Sequence, residues 1–260
     1  MKSDLSSQVA IVTGAAGGIG QTICQRLFDC GAQVVYADIN LEGAEALAAD
    51  KEGCNAIQLD IRDGDAVDAA VKQIVERYGK IDVLINNAGV NTLDHRVTID
   101  EFPREEWQRI VDTDLNGLYE MSRFVAREMR AKESGRIINI SSVGGIVPMR
   151  LQCAFVAAKA AVNNLTRAMA MELAPFGILV NSICPGSIMT EGTRKLMYGE
   201  DGQFNANVQQ FMDHISLGRP GTTDEIAVAV QFLCDPENSY MTGHIMVVDG
   251  GWTAGYHRDF

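Results

Sequence analysis

The stretch Thr13-Gly14-Ala15-Ala16-Gly17-Gly18-Ile19-Gly20 decides how this chain is read. A short apolar run, residues 9–13, leads into it, and a helical pattern follows at Gln21. Glycines at a strand-to-helix turn let backbone approach a pyrophosphate, and the first helical turn offers free N–H groups to its charge. Gly14, Gly18, Ile19 and Gly20 are therefore the first candidate cofactor residues. A second run, residues 33–37, is followed by Asp38, at roughly the twenty-residue spacing expected of a ribose-binding carboxylate. That carboxylate accepts hydrogen bonds from the ribose hydroxyls of adenosine and repels a 2′-phosphate. Residue 17 is glycine, with no basic side chain to neutralise one. The expected dinucleotide is NAD rather than NADP.

Outward from this turn, further apolar runs occupy residues 56–59, 83–85, 136–140, 179–183 and 245–248. They are nearly continuous rather than alternating, as strands buried on both faces are. Between them lie helical patterns such as Val67, Val71, Ile74 and Val75. This order predicts βαβ units, a parallel sheet covered on both faces, and one α/β domain spanning residues 1–260. Two long helices are predicted, roughly at residues 104–132 and 153–175. Residues 187–219 are too long for an ordinary connection and read as a substrate lid.

Composition narrows the partners. The net charge of −12 disfavours nucleic acid and anionic membranes. No apolar run reaches the ~18 residues of a membrane span, and the N-terminus lacks a signal-peptide pattern. The six cysteines show neither Cys-x-x-Cys nor zinc-site spacing, so no metal is expected, and a reducing, cytoplasmic setting is.

Beyond the glycine turn come Asn86-Asn87-Ala88-Gly89, Ser141-Ser142, Lys159, Pro185-Gly186 and Asp249-Gly250-Gly251. In this order, over residues 7–252, the chain resembles the short-chain dehydrogenase/reductase family. The resemblance implies a Rossmann fold with a seven-stranded sheet of order 3-2-1-4-5-6-7. It implies that Asp60 and Ile61 hold the adenine and that Asn86, Ala88 and Gly89 line the cofactor. After Pro185 and Gly186, the backbone of Ile188 and the hydroxyl of Thr190 would grip the nicotinamide carboxamide. It also implies a homotetramer, with the aromatic tail, residues 252–260, near a neighbour's active site.

The family moves a hydride between nicotinamide and a carbinol carbon. A tyrosine transfers the proton, a lysine four residues later holds the nicotinamide ribose and lowers the tyrosine pKa, and a serine binds the substrate oxygen. An asparagine in a long helix completes the set. The matching positions here are Phe155, Lys159, Ser142 and Asp114. Asn116 lies close to Asp114 in sequence but on a different helical face. An ionised Asp114 accepts hydrogen bonds but donates none. Phe155 cannot transfer a proton, and losing a general acid-base costs about 10²–10⁴ in rate.

Three explanations fit Phe155: a deliberate Tyr→Phe change, a natural enzyme using water or Tyr198 instead, or an NAD-binding pseudoenzyme that senses or scaffolds. The persistence of Ser142 and Lys159 favours the first. Asn91, His95, Arg150, Gln152 and Glu191 are the polar residues expected near the substrate, which points to a sugar, polyol or hydroxyacid. Arg150 would suit a carboxylate or sulfonate. A 3-ketoacyl reductase is the rival within the family, and Asp38 argues against its usual NADP.

Overall fold

A computed structural model describes residues 3–92, 95–191, 193–194 and 212–255. Strands β1 (Val9–Thr13), β2 (Gln33–Asp38), β3 (Asn55–Gln58), β4 (Val83–Asn86), β5 (Gly135–Ile140) and β6 (Ile178–Pro185) alternate with helices, as the sequence predicts. The helices are α1 (Gly18–Asp29), α2 (Leu41–Ala48), α3 (Gly64–Tyr78), α4 (Arg104–Val111), α5 (Leu118–Lys132) and α6 (Cys153–Leu173). Two-residue strands β7 (Ile188–Met189) and β8 (Gly221–Thr222) precede α7 (Thr223–Cys234) and the last strand, β9 (Ile245–Val248).

The main sheet has seven strands in the order β3-β2-β1-β4-β5-β6-β9, and every pairing is parallel. The expected Rossmann architecture is borne out, with β9 as its seventh strand; β7 and β8 pair separately. Strand β1 shows why the runs are continuously apolar. Ala10 and Val12 join the core under α1, α2 and α7, with Ile23, Ala44 and Val230. Val9 and Ile11 join the opposite core under α3, α5 and α6, with Val71, Val125 and Met169. Successive side chains point to opposite faces, so a strand covered twice must be apolar throughout.

Local chemistry sets the helix ends. Helix α3 starts where the Asp63 side chain accepts from the amides of Asp65 and Ala66, each at 3.1 Å. It stops at Gly79, whose φ of 75° is left-handed. The predicted helix over residues 104–132 proves to be three pieces. Between α4 and α5, Asp112–Gly117 winds as a π-helix. Such an inserted residue shifts the face of everything beyond it and often marks a functional site. Strand order reverses between β1 and β4, and a crevice opens at the carboxyl ends there, where ligands of such sheets bind.

Candidate active site

The glycine turn is locked to the end of β4. Thr13 Oγ1 accepts from the amides of Asn87 and Ala88, both at 3.0 Å. The Asn87 side chain donates back to the carbonyls of Thr13 and Gly14. A Cβ on Gly20 would fall 2.0 Å from the Gly14 carbonyl oxygen, so Gly20 is required by packing. Gly17 faces open space instead, and beyond Gly18 only a Thr190 methyl, at 3.7 Å, lies within 4 Å. Helix α1 begins here with no side-chain cap and no acidic residue in its first turn. An open, uncapped helix N-terminus fits the pyrophosphate of a dinucleotide. Ile19 lines the adjoining cleft. At the tip of β2 the Asp38 carboxylate accepts from the amides of Ala16 and Asn40, each at 2.8 Å, which holds it beside this turn.

Asp60 is gripped by Arg62, with guanidinium contacts at 2.9, 3.1 and 2.6 Å. That hydrogen bonding holds its carboxyl below the usual range. Any adenine contact by Asp60 shares the carboxylate with Arg62. Ile61, next to it, is buried. Asn86 points away from the cleft. Its amide donates to Ser122 Oγ and Asn139 Oδ1, both at 2.9 Å, in a buried network. Asn87 lines the cleft instead. Neighbours at a strand end face opposite ways, so one of the two asparagines had to turn inward.

The cleft, about 690 Å³, brings together Gly89, Asp114, Ser142, Phe155, Lys159, Pro185, Gly186, Ile188 and Thr190. Lys159 Nζ lies 3.0 Å from Asp114 Oδ2, and both side chains are buried. The contact is ionic, since Oδ2 accepts no aligned hydrogen bond. Val90 N–H donates to the other oxygen at 2.7 Å, and Lys159 also donates to the Ile140 carbonyl at 3.3 Å. The π turn delivers Asp114 inward, while Asn116 is exposed and its side chain donates to Asp112. A Cβ on Gly89 would stand 3.2 Å from both Asp114 Oδ2 and Lys159 Nζ, so this glycine keeps the pair open to the cleft.

Phe155 is buried, with the Lys159 ammonium 5.8 Å from its ring centre. Ser142 Oγ accepts from Gly144 N at 3.1 Å, which orients the hydroxyl at the cleft wall. Thr190 and Thr193 hydroxyls lie 3.0 Å apart beside Ile188.

The substrate residues divide. Asn91 and Gln152 line the cleft, whereas His95, Arg150 and Glu191 are exposed and absent from its lining. Arg96 and Trp252, neither named as a site residue from sequence, do line it. For Arg96 no spacing signal existed, because the segment after Gly89 has no regular period. Of the proposed lid, residues 192 and 195–211 lie outside the described residues, as do Tyr198 and residues 256–260 of the tail. Among the described residues no helix is long and apolar enough to cross a membrane, and no group of side chains is arranged to hold a metal.

A family model described as enoyl-(acyl carrier protein) reductase matches residues 14–253. The chain is 38% identical to the 3-oxoacyl-[acyl-carrier-protein] reductase FabG of Vibrio cholerae, over 95% of this chain and 98% of that one. It is also 38% identical to the trans-4-hydroxycyclohexanecarboxylate dehydrogenase of Sinomonas cyclohexanicum, over 96% and 95%. The solved aldohexose dehydrogenase of Thermoplasma acidophilum superposes with a TM-score of 0.88 at 32% identity, over 100% and 99%. With these matches across nearly its whole length, the chain belongs to the short-chain dehydrogenase/reductase family of oxidoreductases, which bind a nicotinamide cofactor and act on small molecules.

Proposed function

We propose that the chain is an NAD-dependent dehydrogenase of a secondary alcohol on a sugar, polyol or hydroxyacid, impaired in proton transfer at Phe155. The observation that carries this reading is the convergence of Ser142, Lys159 and Phe155 on one cleft, a proton-transfer site lacking a single oxygen. The choice of NAD is supported by the Asp38 carboxylate beside a turn with glycine at residue 17. Relatives whose names include a hydroxycarboxylate dehydrogenase and an aldohexose dehydrogenase support the substrate class.

Bound NAD supplies a hydride acceptor. Ser142 donates to the carbinol oxygen and holds it against the face of Phe155. Lys159 stands at the floor of the site, its charge balanced by Asp114. At Phe155 no group accepts the hydroxyl proton, so substrate binds and turns over slowly. Two other readings each have a specific observation behind them. The FabG relative favours a 3-ketoacyl reductase. Phe155 itself favours an NAD-binding protein that senses or scaffolds.

The test is Phe155→Tyr, assayed for NADH formation beside the parent chain over sugars, polyols and hydroxyacids. A gain of about 10²–10⁴ is expected. A tyrosine form that binds NAD yet oxidises nothing would move the weight to the sensor reading.

A further inference from the structure

We infer that the cleft is shaped for a hydroxylated carboxylate, with Arg96 binding the carboxylate and Gln152 accepting from a hydroxyl. The inference rests on the dehydrogenase reading and narrows its substrate class. Three charged side chains line the cleft among the described residues: Arg96, Asp114 and Lys159. Asp114 and Lys159 neutralise each other at 3.0 Å. Arg96 forms no ion pair among the described residues. Among the described residues, the cleft lining therefore carries one positive charge without an ion-pair partner, on the exposed Arg96.

Gln152 supplies an independent observation. It lines the same cleft and is only 6% exposed, yet among the described residues its Oε1 has no hydrogen-bond partner. Its Nε2 reaches only the Met149 sulfur, at 3.9 Å. Buried amide oxygens are nearly always satisfied, so an orphan on a cleft wall marks where a ligand donor belongs. A substrate hydroxyl is such a donor. Val90, Met149 and Phe155, packed together in one apolar cluster, also line the cleft, which suits a carbon skeleton.

The charge count selects the anion. A guanidinium meets a carboxylate as a bidentate fork, and one such pair is neutral. A phosphate dianion would leave charge unbalanced in this cleft. The substrate is thus a hydroxyacid or sugar acid rather than a neutral polyol or a sugar phosphate.

Binding is measurable without turnover, because NADH and a hydroxylated ligand are both reduced and the complex holds no hydride acceptor. The experiment is calorimetric titration of the NADH-saturated chain with four- to six-carbon aldonates, the matching alditols, and glucose 6-phosphate. At least one aldonate is expected to bind about tenfold tighter than its alditol. Arg96→Gln should erase that preference, and Arg96→Lys should restore part of it. Gln152→Leu should weaken aldonate and alditol alike. NADH fluorescence and thermal midpoint report whether each variant is folded. Aldonates binding no better than alditols, a preference that survives Arg96→Gln, or tighter binding of glucose 6-phosphate would each overturn the inference while leaving the dehydrogenase reading in place. Failure of the parent chain to bind NADH would overturn both.

Discussion

At the scale of single residues, Lys159 and Asp114 form the most deeply buried ion pair among the described residues. Both side chains are buried, so each charge depends on the other. Removing one partner of a buried pair strands the other and typically costs about 3–5 kcal/mol, whereas replacing both with apolar groups is often neutral. Lys159→Met should therefore lower the urea midpoint sharply, and adding Asp114→Leu should recover most of the loss. A Lys159→Met protein as stable as the parent would show that the pair contributes nothing to folding. The same pairing separates this chain from its family pattern: an asparagine at 114 would leave the lysine charge uncancelled, whereas Asp114 balances it. The roles of Ser142 and Lys159 were legible through the resemblance to the family. The pairing was not, because residues 114 and 159 lie on different helices and meet only after both pack.

Among the elements, α7 has the most explicit start signal. Thr222 Oγ1 accepts from the Glu225 amide at 3.2 Å, and Glu225 Oε2 accepts from the Thr222 amide at 2.7 Å, a reciprocal capping box. Arg219 clamps the same carboxylate at 2.7 Å. Chiefly through Arg219, and then the Thr222 amide, the Glu225 pKa falls from 4.5 to about 2. A depressed pKa gives stability that is present above the unfolded value and lost as pH falls through the folded one. The contribution of this cap should therefore fade between about pH 4.5 and 2, by a modest amount because the carboxylate is exposed. Thr222→Ala should cost about 0.5–2 kcal/mol at neutral pH, read by chemical denaturation. An unchanged midpoint would show the cap to be redundant. The π turn between α4 and α5 is the opposite case: no residue in Asp112–Gly117 announces it, although it packs against α6.

For the whole molecule, several large apolar side chains remain exposed among the described residues. Trp107, Tyr119 and Met171 lie on α4, α5 and α6, and Val228 and Val247 lie on α7 and the edge strand β9. Exposed apolar side chains on these helices and on the sheet edge suit the homotetramer that the family resemblance implies, and we propose that assembly. Light scattering on a gel-filtered sample at micromolar concentration should give four times the 28.2 kDa chain mass. A monomer would sink the proposal. Trp252 lines its own chain's cleft, so the start of the tail belongs to this site whatever a neighbour contributes.

The sequence by itself determined the sheet, the glycine turn, the carboxylate at the end of β2 and the identities at residues 142, 155 and 159. These are local matters: a doubly covered strand must be apolar, a turn over a pyrophosphate must be glycine-rich, and motif spacing fixes which residue stands where. Tertiary structure alone decided which polar side chains face the cleft. It turned Asn87 toward the cleft and Asn86 into a buried network, brought Arg96 to the wall while leaving Arg150 and His95 outside, and set Asp114 against Lys159. Those outcomes depend on strand register and on helix packing, contacts between residues far apart in the chain, and on a π turn that no residue pattern announces.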